Sequence, residues 1–252
     1  MILLLNDTSN YHSGCAEVVK NIQFDQSVKS VTRATADTLQ HYKIPEGTTL
    51  VVLNGEGTMH HNQPAALAWL EVLVRAQNMG IETWLVNSIW QDMDQTCADI
   101  IKRCTKVEVR EILSHLALAE QGVDSKIAPD RSIRSDVPVA RRKFQRVYKG
   151  QSALFQKPIA GDYPEIDIFK DEWNDIVNRL RNADLLITGR HHEMYAAIKA
   201  ECRFIIVGDI NSWKNEGLLK TCSELPMDIT IEDALSGKWD SEYDKIFRWC
   251  NK

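Results

Sequence analysis

Short apolar runs alternate with segments of helical periodicity along the first half of the chain. The runs "MILLLN" (1–6), "TTLVVLN" (48–54) and "ETWLVNS" (82–88) contain consecutive apolar residues, a pattern typical of strands buried on both faces. A fourth strand is predicted at 106–110, and helices are predicted at 15–23, 65–80, 97–104 and 111–122. Alternation of strand and helix predicts a doubly wound parallel sheet.

The alternation is interrupted between residues 137 and 165 and then resumes. The segment "VPVARRKFQRVYKG" is basic and "FQKPIAGDYPEID" is rich in Pro and Gly, so we interpret this region as a linker or a domain crossing. We interpret its basic run as a solvated face or hinge rather than a binding site. Beyond it, Trp173, Ile176, Val177 and Leu180 form one helical stripe. Strands at 185–189 and 203–209 flank a helix at 193–201.

These patterns predict an α/β protein with two Rossmann-like domains, the first at 1–145 and a smaller one at 146–252. The chain has 252 residues and is 44% hydrophobic, enough for a sizeable core. Its net charge of −5 does not favour nucleic acid as a partner. Six scattered cysteines without a CxxC pair indicate reduced thiols. The apolar start ends at Asn6 and is too short for a signal or a membrane span, which predicts a soluble, cytoplasmic protein.

Polar residues gather after the predicted strands, where ligands bind in open parallel sheets. In "NGEGTMHH" (54–61), Gly55 and Gly57 lack the third glycine of a dinucleotide-binding loop. Adjacent His60 and His61 do not easily point the same way, and no companion ligand lies at zinc-like spacing. We interpret the loop as a tight turn that brings backbone N–H groups to a ligand, with Glu56 or a histidine as proton carrier. A purely structural turn is the alternative.

Several other site classes are not supported by the sequence. His192 and Glu193 begin an HExxH motif, but Ala196 stands where the second histidine would be, so a zinc protease is excluded. No GxSxG elbow of a serine hydrolase occurs. Cys15 follows His12 by three residues, and we interpret this cysteine as a packing residue rather than a nucleophile. Neither a metal site nor a cofactor is expected.

Three stretches together resemble the polysaccharide pyruvyl transferase family. They are "VVLNGEGTMHH", then "VREILSHLALAEQGVDSKIAPD", and "ADLLITGRHHEMYAAIKAECRFIIVG" followed by "SWK". The family has a glycine-rich loop after a strand, an arginine-then-serine segment leading to Pro-Asp, and Arg-x-His at a strand-to-helix junction. The last motif corresponds here to Arg190, His191 and His192.

The resemblance implies a glycosyltransferase-B-like fold with the active site in a cleft between its domains. It also implies transfer of pyruvate from phosphoenolpyruvate to a sugar diol of a surface polysaccharide or its precursor, giving a cyclic ketal and phosphate. Phosphoenolpyruvate is then the donor substrate, a sugar or lipid-linked oligosaccharide is the acceptor, and association with the inner face of the membrane would be peripheral. The first domain would serve the acceptor and the second the donor.

The chemistry of the donor suggests roles for the residues at the Arg-x-His motif. An arginine fork fits the carboxylate and phosphate of the donor, and a helix N-terminus adds N–H groups. Histidine can exchange a proton near neutral pH. We therefore predict Arg190, His192 and Glu56 as catalytic residues, with His191 as a neighbour facing the core. The predicted substrate-binding residues are Arg190, Lys214, Arg110, Gly55, Gly57, His60, His61 and Asn54.

Some alternatives stay open at the level of sequence. Lys214 is equally consistent with an exposed loop, and Arg110 with a surface or salt-bridge role. A glycosyltransferase of similar fold that uses a nucleotide sugar, and a non-catalytic relative, are the competing functions.

Overall fold

The computed structural model describes residues 1–22, 28–32, 36–135, 147–150, 162–207 and 213–251. The chain divides into two compact units. The first unit consists of Met1–Thr8 and Ile22–Pro129, and the second of Ser9–Asn21 and Asp130–Lys252. The predicted domain boundary at 145/146 lies outside the described residues. Residues 9–21 and 130–135, which the sequence places in the first domain, belong to the second unit.

A six-stranded parallel sheet forms the centre of the first unit. Its strands, numbered in chain order, are β1 (Ile2–Asp7), β2 (Val28–Thr32), β3 (Leu50–Asn54), β4 (Glu82–Ser88), β5 (Lys106–Val109) and β6 (Lys126–Ile127). Their order across the sheet is β2-β1-β3-β4-β5-β6. Strands β1 and β3 are buried at every position, as their unbroken apolar sequences predict.

The helices of the first unit pack on this sheet. They are α2 (Ala36–Gln40), α3 (Pro64–Asn78), α4 (Gln95–Ile101) and α5 (Ile112–Glu120), and α1 (Ser13–Lys20) belongs to the second unit. Helix α3 begins with Pro64, whose missing N–H is not needed in the first turn of a helix. It is followed by Gly80 at φ +73°, a left-handed conformation that ends helices and favours glycine. Trp69 and Leu73 of this helix join Leu53 and Leu85 of the sheet in one core.

The second unit has a three-stranded parallel sheet of order β7-β8-β9. Its elements are β7 (Val147–Lys149), β8 (Leu185–Thr188), β9 (Arg203–Ile206), a 3-10 helix (Arg131–Arg134), α1, α6 (Trp173–Leu180), α7 (His191–Lys199), α8 (Trp213–Cys222), α9 (Ile231–Leu235) and α10 (Asp240–Cys250). Within 137–165, interpreted from sequence as a linker or a domain crossing, the described residues Val147–Lys149 form β7, which pairs with β8, so this part is not a linker.

The stripe on α6 is confirmed, since Trp173, Ile176, Val177 and Leu180 are all buried in the core of the second unit. Helix α7 begins at His191, two residues before the predicted start, and this difference places both histidines in its first turn. Both units alternate strand and helix around parallel sheets, so the prediction of two Rossmann-like α/β units is confirmed. Among the described helices, none is both long and apolar enough to cross a membrane.

Candidate functional site

The turn from β8 to α7 in the second unit is held by the Thr188 hydroxyl. Its Oγ1 accepts the backbone N–H of Arg190 at 2.9 Å and donates to Oε2 of the buried Glu193 at 2.5 Å. Arg190 is the N-cap residue of α7, with φ −111° and ψ 129°. The helix therefore starts directly after the strand, with the arginine at the junction that the sequence predicts.

The guanidinium of Arg190 lies over the ring of Phe169, with 4.7 Å from Cζ to the ring centroid. Phe169 is 41% exposed, and Arg190 is half-buried. Stacking on an aromatic face restricts the orientation of a guanidinium while leaving its edges for hydrogen bonds in its plane. The arginine is thus oriented beside the positive end of the α7 dipole, where an anion is favoured.

His192 is the more buried of the two adjacent histidines. Its exposed fraction is 1%, whereas His191 is half-buried, so His192 faces the core more fully than His191, the histidine that the sequence predicts to do so. The two rings lie 3.9 Å apart. Oδ1 of the buried Asp130 lies 3.9 Å from His192 Nε2, a distance suited to an ion pair when the ring is protonated. His192 therefore lies beside a fixed carboxylate.

His12 and Cys15 lie next to His192 within the second unit. His12 is the N-cap residue of α1, where its Nδ1 accepts the backbone N–H of Cys15 at 3.2 Å. The ring centroids of His12 and His192 are 4.9 Å apart. A Cβ atom at Gly14 would lie 2.8 Å from Cβ of His192, so the absence of a side chain there allows the close approach.

In the first unit, the loop after β3 is stabilised by a buried polar network. Glu56 is 4% exposed and its Oε2 accepts the Thr8 hydroxyl at 2.7 Å and the Asn54 side-chain amide at 3.4 Å. Gly55 donates its N–H to Val86 O at 2.9 Å, and a Cβ atom at Gly55 would collide with the Ser88 side chain. The glycine is therefore needed for the close approach of β3 and β4, which favours a structural role for it.

The remainder of this loop places its two histidines differently from expectation. Gly57 has φ +64°, as the predicted glycine turn requires. The Nδ1 atoms of His60 and His61 lie 3.0 Å apart, so adjacent rings do point toward each other here. His61 Nε2 also lies 3.1 Å from Asp92, and both side chains are more than half exposed. His61 thus belongs to a surface ion pair when protonated, which contributes little to stability.

The two remaining predicted cationic residues lie on different units. Arg110 follows β5, is 2% exposed, and donates its backbone N–H to Ser88 O at 2.9 Å, so a surface role for Arg110 is excluded. Lys214 lies in the first turn of α8 and is half-buried, rather than in an exposed loop. Their roles as substrate ligands stay predictions.

Three residues of this neighbourhood carry no role in the sequence analysis. Asp130 is the acidic residue of the Pro-Asp motif already noted, and that motif is the one signal by which it could have been found. Phe169 has no such signal, because its contact with Arg190 depends on packing between segments distant in sequence. Thr188 contacts Arg190 locally, two residues away, but no motif marks its hydroxyl. Together the second-unit residues provide an oriented cation, a helix N-terminus and an imidazole beside a carboxylate.

Known proteins resemble this chain in structure rather than in sequence. No protein-family model matches it, and a search of curated proteins finds no match. A proposed UDP-N-acetylglucosamine 2-epimerase of Listeria monocytogenes superposes with TM-score 0.58 at 8% identity, over 99% of this chain and 91% of that one. The UDP-GlcNAc 2-epimerase of Neisseria meningitidis, bound to UDP-GlcNAc, gives TM-score 0.53 at 8% identity, over 100% and 94%.

A functionally uncharacterised protein of Klebsiella pneumoniae gives TM-score 0.56 at 12% identity, over 86% of both chains. Identities this low establish the fold and leave the reaction open. The fold is the glycosyltransferase-B-like one that the resemblance implies.

Proposed function

We propose that the chain is a pyruvyl transferase that moves pyruvate from phosphoenolpyruvate to two hydroxyls of a sugar. The observation that carries this proposal is the pairing of Arg190 and His192 at the start of α7, with Arg190 stacked on Phe169 and His192 beside Asp130. This arrangement combines anion binding with proton transfer, and the donor requires both.

Arg190 is assigned to the donor anion. Phosphoenolpyruvate carries a carboxylate and a phosphate, and a guanidinium can bind either through two parallel hydrogen bonds. The N-terminus of α7 adds backbone N–H groups and a favourable dipole. Because Arg190 is oriented by the Phe169 ring, less conformational freedom is lost when the anion binds.

His192 is assigned to proton transfer at the donor. The methylene carbon of the enol ester gains a proton, and the neighbouring carbon becomes electrophilic and bonds to the first sugar oxygen. The second sugar oxygen then bonds to the same carbon as the bond to the phosphate oxygen breaks, and both hydroxyl protons are released. An imidazole can give the first proton and accept one later. The Asp130 carboxylate stabilises the ring while it is protonated.

Glu56 is assigned to the acceptor as the base that takes a hydroxyl proton. Its carboxylate is held by Thr8 and Asn54, which fixes its orientation. The same bonds suit a purely structural role, so the assignment needs a kinetic test. Glu56→Gln should retain donor affinity and lose turnover at saturating acceptor, whereas unchanged turnover would restrict Glu56 to supporting the glycine turn.

A nucleotide-sugar enzyme is the second candidate, because the Neisseria protein with this fold was solved with UDP-GlcNAc bound. An arginine at a helix N-terminus would also suit a diphosphate. Calorimetric titration with phosphoenolpyruvate and, separately, with UDP-GlcNAc distinguishes the two. Binding of UDP-GlcNAc without binding of phosphoenolpyruvate would contradict the proposal. Phosphate release with a set of sugar acceptors then separates an enzyme from a non-catalytic relative.

Calorimetric titration of Arg190 variants tests whether this residue contacts phosphoenolpyruvate. Loss of a charge-assisted contact costs about 1.5–3 kcal/mol, so Arg190→Ala should weaken phosphoenolpyruvate binding roughly tenfold to a hundredfold. Arg190→Lys should lose most of the same affinity if the contact is bidentate. Arg248→Ala is the matched control, since Arg248 is an exposed arginine of the same unit that pairs with Asp244. Unchanged affinity in folded Arg190→Ala would overturn the assignment.

A further inference from the structure

We propose that His12, Cys15 and His192 form a binding site for a thiophilic divalent cation of the zinc class. One ligand atom from each side chain can be chosen so that all three lie within 4.8 Å of one another. All three residues belong to the second unit. Two imidazoles and a thiolate form a ligand set that favours zinc over cations such as magnesium and calcium, which prefer oxygen ligands.

The distances suit tetrahedral coordination. Zinc binds sulfur at about 2.3 Å and imidazole nitrogen at about 2.0–2.1 Å, so neighbouring ligand atoms in a tetrahedron are roughly 3.5 Å apart. The distance from His12 Nε2 to Cys15 Sγ is 3.3 Å, close to that value. The 4.8 Å limit on the other ligand distances exceeds this spacing by about 1.3 Å, a difference that side-chain rotation can close. Three protein ligands leave the fourth position for water or an anion.

The local chain positions each ligand for a physical reason. His12 is the N-cap residue of α1 and Cys15 lies three residues later, so the first helical turn brings both side chains to one side. His192 lies in the first turn of α7 and approaches over Gly14, where a Cβ atom would be only 2.8 Å from its own Cβ. Because Gly14 has no side chain, His192 can lie close enough to His12 and Cys15 to serve as the third ligand.

The surroundings match those of a metal-bound histidine. Such a histidine commonly has a carboxylate near its second nitrogen, which orients the ring and makes it a better ligand. Asp130 supplies this carboxylate, with Oδ1 at 3.9 Å from His192 Nε2, and it is itself fixed by the backbone N–H and hydroxyl of Ser132. His192 and Cys15 are 1% and 3% exposed, so a bound cation would be largely shielded from water.

Coordination has a definite consequence for His12. In the neutral ring, Nδ1 accepts the Cys15 N–H and the proton is on Nε2, the nitrogen that faces the sulfur. A cation bound at Nε2 requires the opposite tautomer, so the helix-capping hydrogen bond is exchanged for the metal bond. Binding must also release the thiol proton.

Cys97 is a second cysteine that lies three residues after a helix N-cap residue, but its N-cap residue is Asp94 rather than a histidine. Asp94 caps α4 and accepts the Cys97 N–H at 2.9 Å, just as His12 caps α1. Burial, with the Asp94 carboxylate as a further cause, raises the pKa of the Cys97 thiol to about 12. Cys97 is therefore the matched control for the sulfur ligand.

Cobalt(II) titration of the full chain, stripped of metal beforehand with a chelator, tests the proposal. One equivalent of Co²⁺ should give a thiolate-to-cobalt charge-transfer band and tetrahedral visible bands, and Zn²⁺ should abolish both. Cys15→Ser should lose the charge-transfer band, and Cys97→Ser should keep it. His12→Asn retains a good helix cap and should weaken Zn²⁺ binding at least tenfold in competition with a chromophoric chelator.

No charge-transfer band in the wild-type chain, or a band that persists in Cys15→Ser, would overturn the site. A band lost equally in Cys97→Ser would do the same. Circular dichroism of the metal-free variants checks that each is folded, and His12→Asn keeps the test decisive if Cys15→Ser does not fold. These measurements use no substrate, so they are independent of the proposed pyruvyl transfer. If that function also holds, Zn²⁺ should inhibit it, because the cation would occupy a nitrogen of His192.

Discussion

The carboxylate of Glu193 occupies the space that a side chain at Gly150 would fill. A Cβ atom built on Gly150 would overlap Oε2 of Glu193 and lie 2.8 Å from its Cδ. Gly150 follows β7 and donates its N–H to Ile187 O at 2.8 Å, so the backbone cannot easily move away. This glycine therefore protects the hydrogen bond from Thr188 to Glu193 that organises the start of α7.

Gly150→Ala should destabilise the second unit and disturb the candidate site. Overpacking of this kind costs about 1–3 kcal/mol. The displaced carboxylate would also release Thr188, which holds the Arg190 N–H. We expect a lower urea midpoint and weaker phosphoenolpyruvate binding. Gly47→Ala is a useful comparison, since a Cβ atom there meets nothing within 4 Å although φ is +76°. Gly150 is not among the glycines with positive φ, so Gly47→Ala reports backbone strain alone and should leave phosphoenolpyruvate affinity unchanged. Unchanged affinity in folded Gly150→Ala would contradict the role of Glu193 at the start of α7.

The sequence predicts those parts of the fold that depend on local pattern. The stripe of Trp173, Ile176, Val177 and Leu180 identifies α6 because its spacing is a property of the helix alone. The strands β1, β3 and β4 are predicted because their apolar residues are consecutive. In contrast, β7 has only three residues beside a basic run, so pairing with β8 determines its structure more than its own composition.

The candidate site shows the same division. Arg190 and His192 are found from a strand-to-helix junction, which is a local feature. The positions of Asp130, His12 and Phe169 beside them depend on contacts between segments far apart in sequence. Periodicity carries no information about such contacts. The contrasting burial of His191 and His192 depends likewise on where α7 begins, and helix boundaries are poorly determined by pattern.

His192 and His191 should differ in their kinetic roles. If His192 transfers a proton, His192→Gln should lower turnover by about 10²–10⁴ while phosphoenolpyruvate affinity changes little. His191→Gln is the matched control, because its ring is adjacent at 3.9 Å between centroids and the residue is only half-buried. Steady-state phosphate release with saturating donor and acceptor measures both. Comparable losses in turnover from the two variants would contradict a specific role for His192.

Tyr243 should contribute to the stability of the second unit through one buried hydrogen bond. Its hydroxyl donates to the backbone oxygen of Phe204 in β9, and the side chain is 1% exposed. Burial raises the pKa of this phenol, so the hydroxyl stays protonated and able to donate. Tyr243→Phe should cost about 1–3 kcal/mol in the free energy of unfolding, measured by urea denaturation. Tyr11→Phe, at a tyrosine that is 48% exposed, should change it by less than about 0.5 kcal/mol.

Glu111 should make the stability of the first unit depend on pH. Burial is the largest cause that raises the pKa of this carboxyl above its ordinary value of 4.5, although it also accepts the N–H groups of Leu113 and Ser114 at the start of α5. The folded state therefore holds this proton more tightly than the unfolded chain does. Its contribution to stability is fully present below pH 4.5 and is lost as pH rises through the raised pKa.

Glu111→Gln removes this ionisation while its side-chain oxygen can still accept the Leu113 N–H. The stability of the variant relative to wild type should therefore increase as pH rises from 4.5 toward 7, as followed by urea midpoints at each pH. Asp94→Asn provides a control of opposite sign, because hydrogen bonding to the Cys97 N–H is the largest cause that lowers the pKa of Asp94. The stabilisation that the ionised Asp94 carboxylate gives the wild-type protein should be present above pH 3.8 and should disappear as the pH falls through the lowered pKa. A relative stability of Glu111→Gln that stays constant from pH 4.5 to 7 would contradict a raised pKa at Glu111.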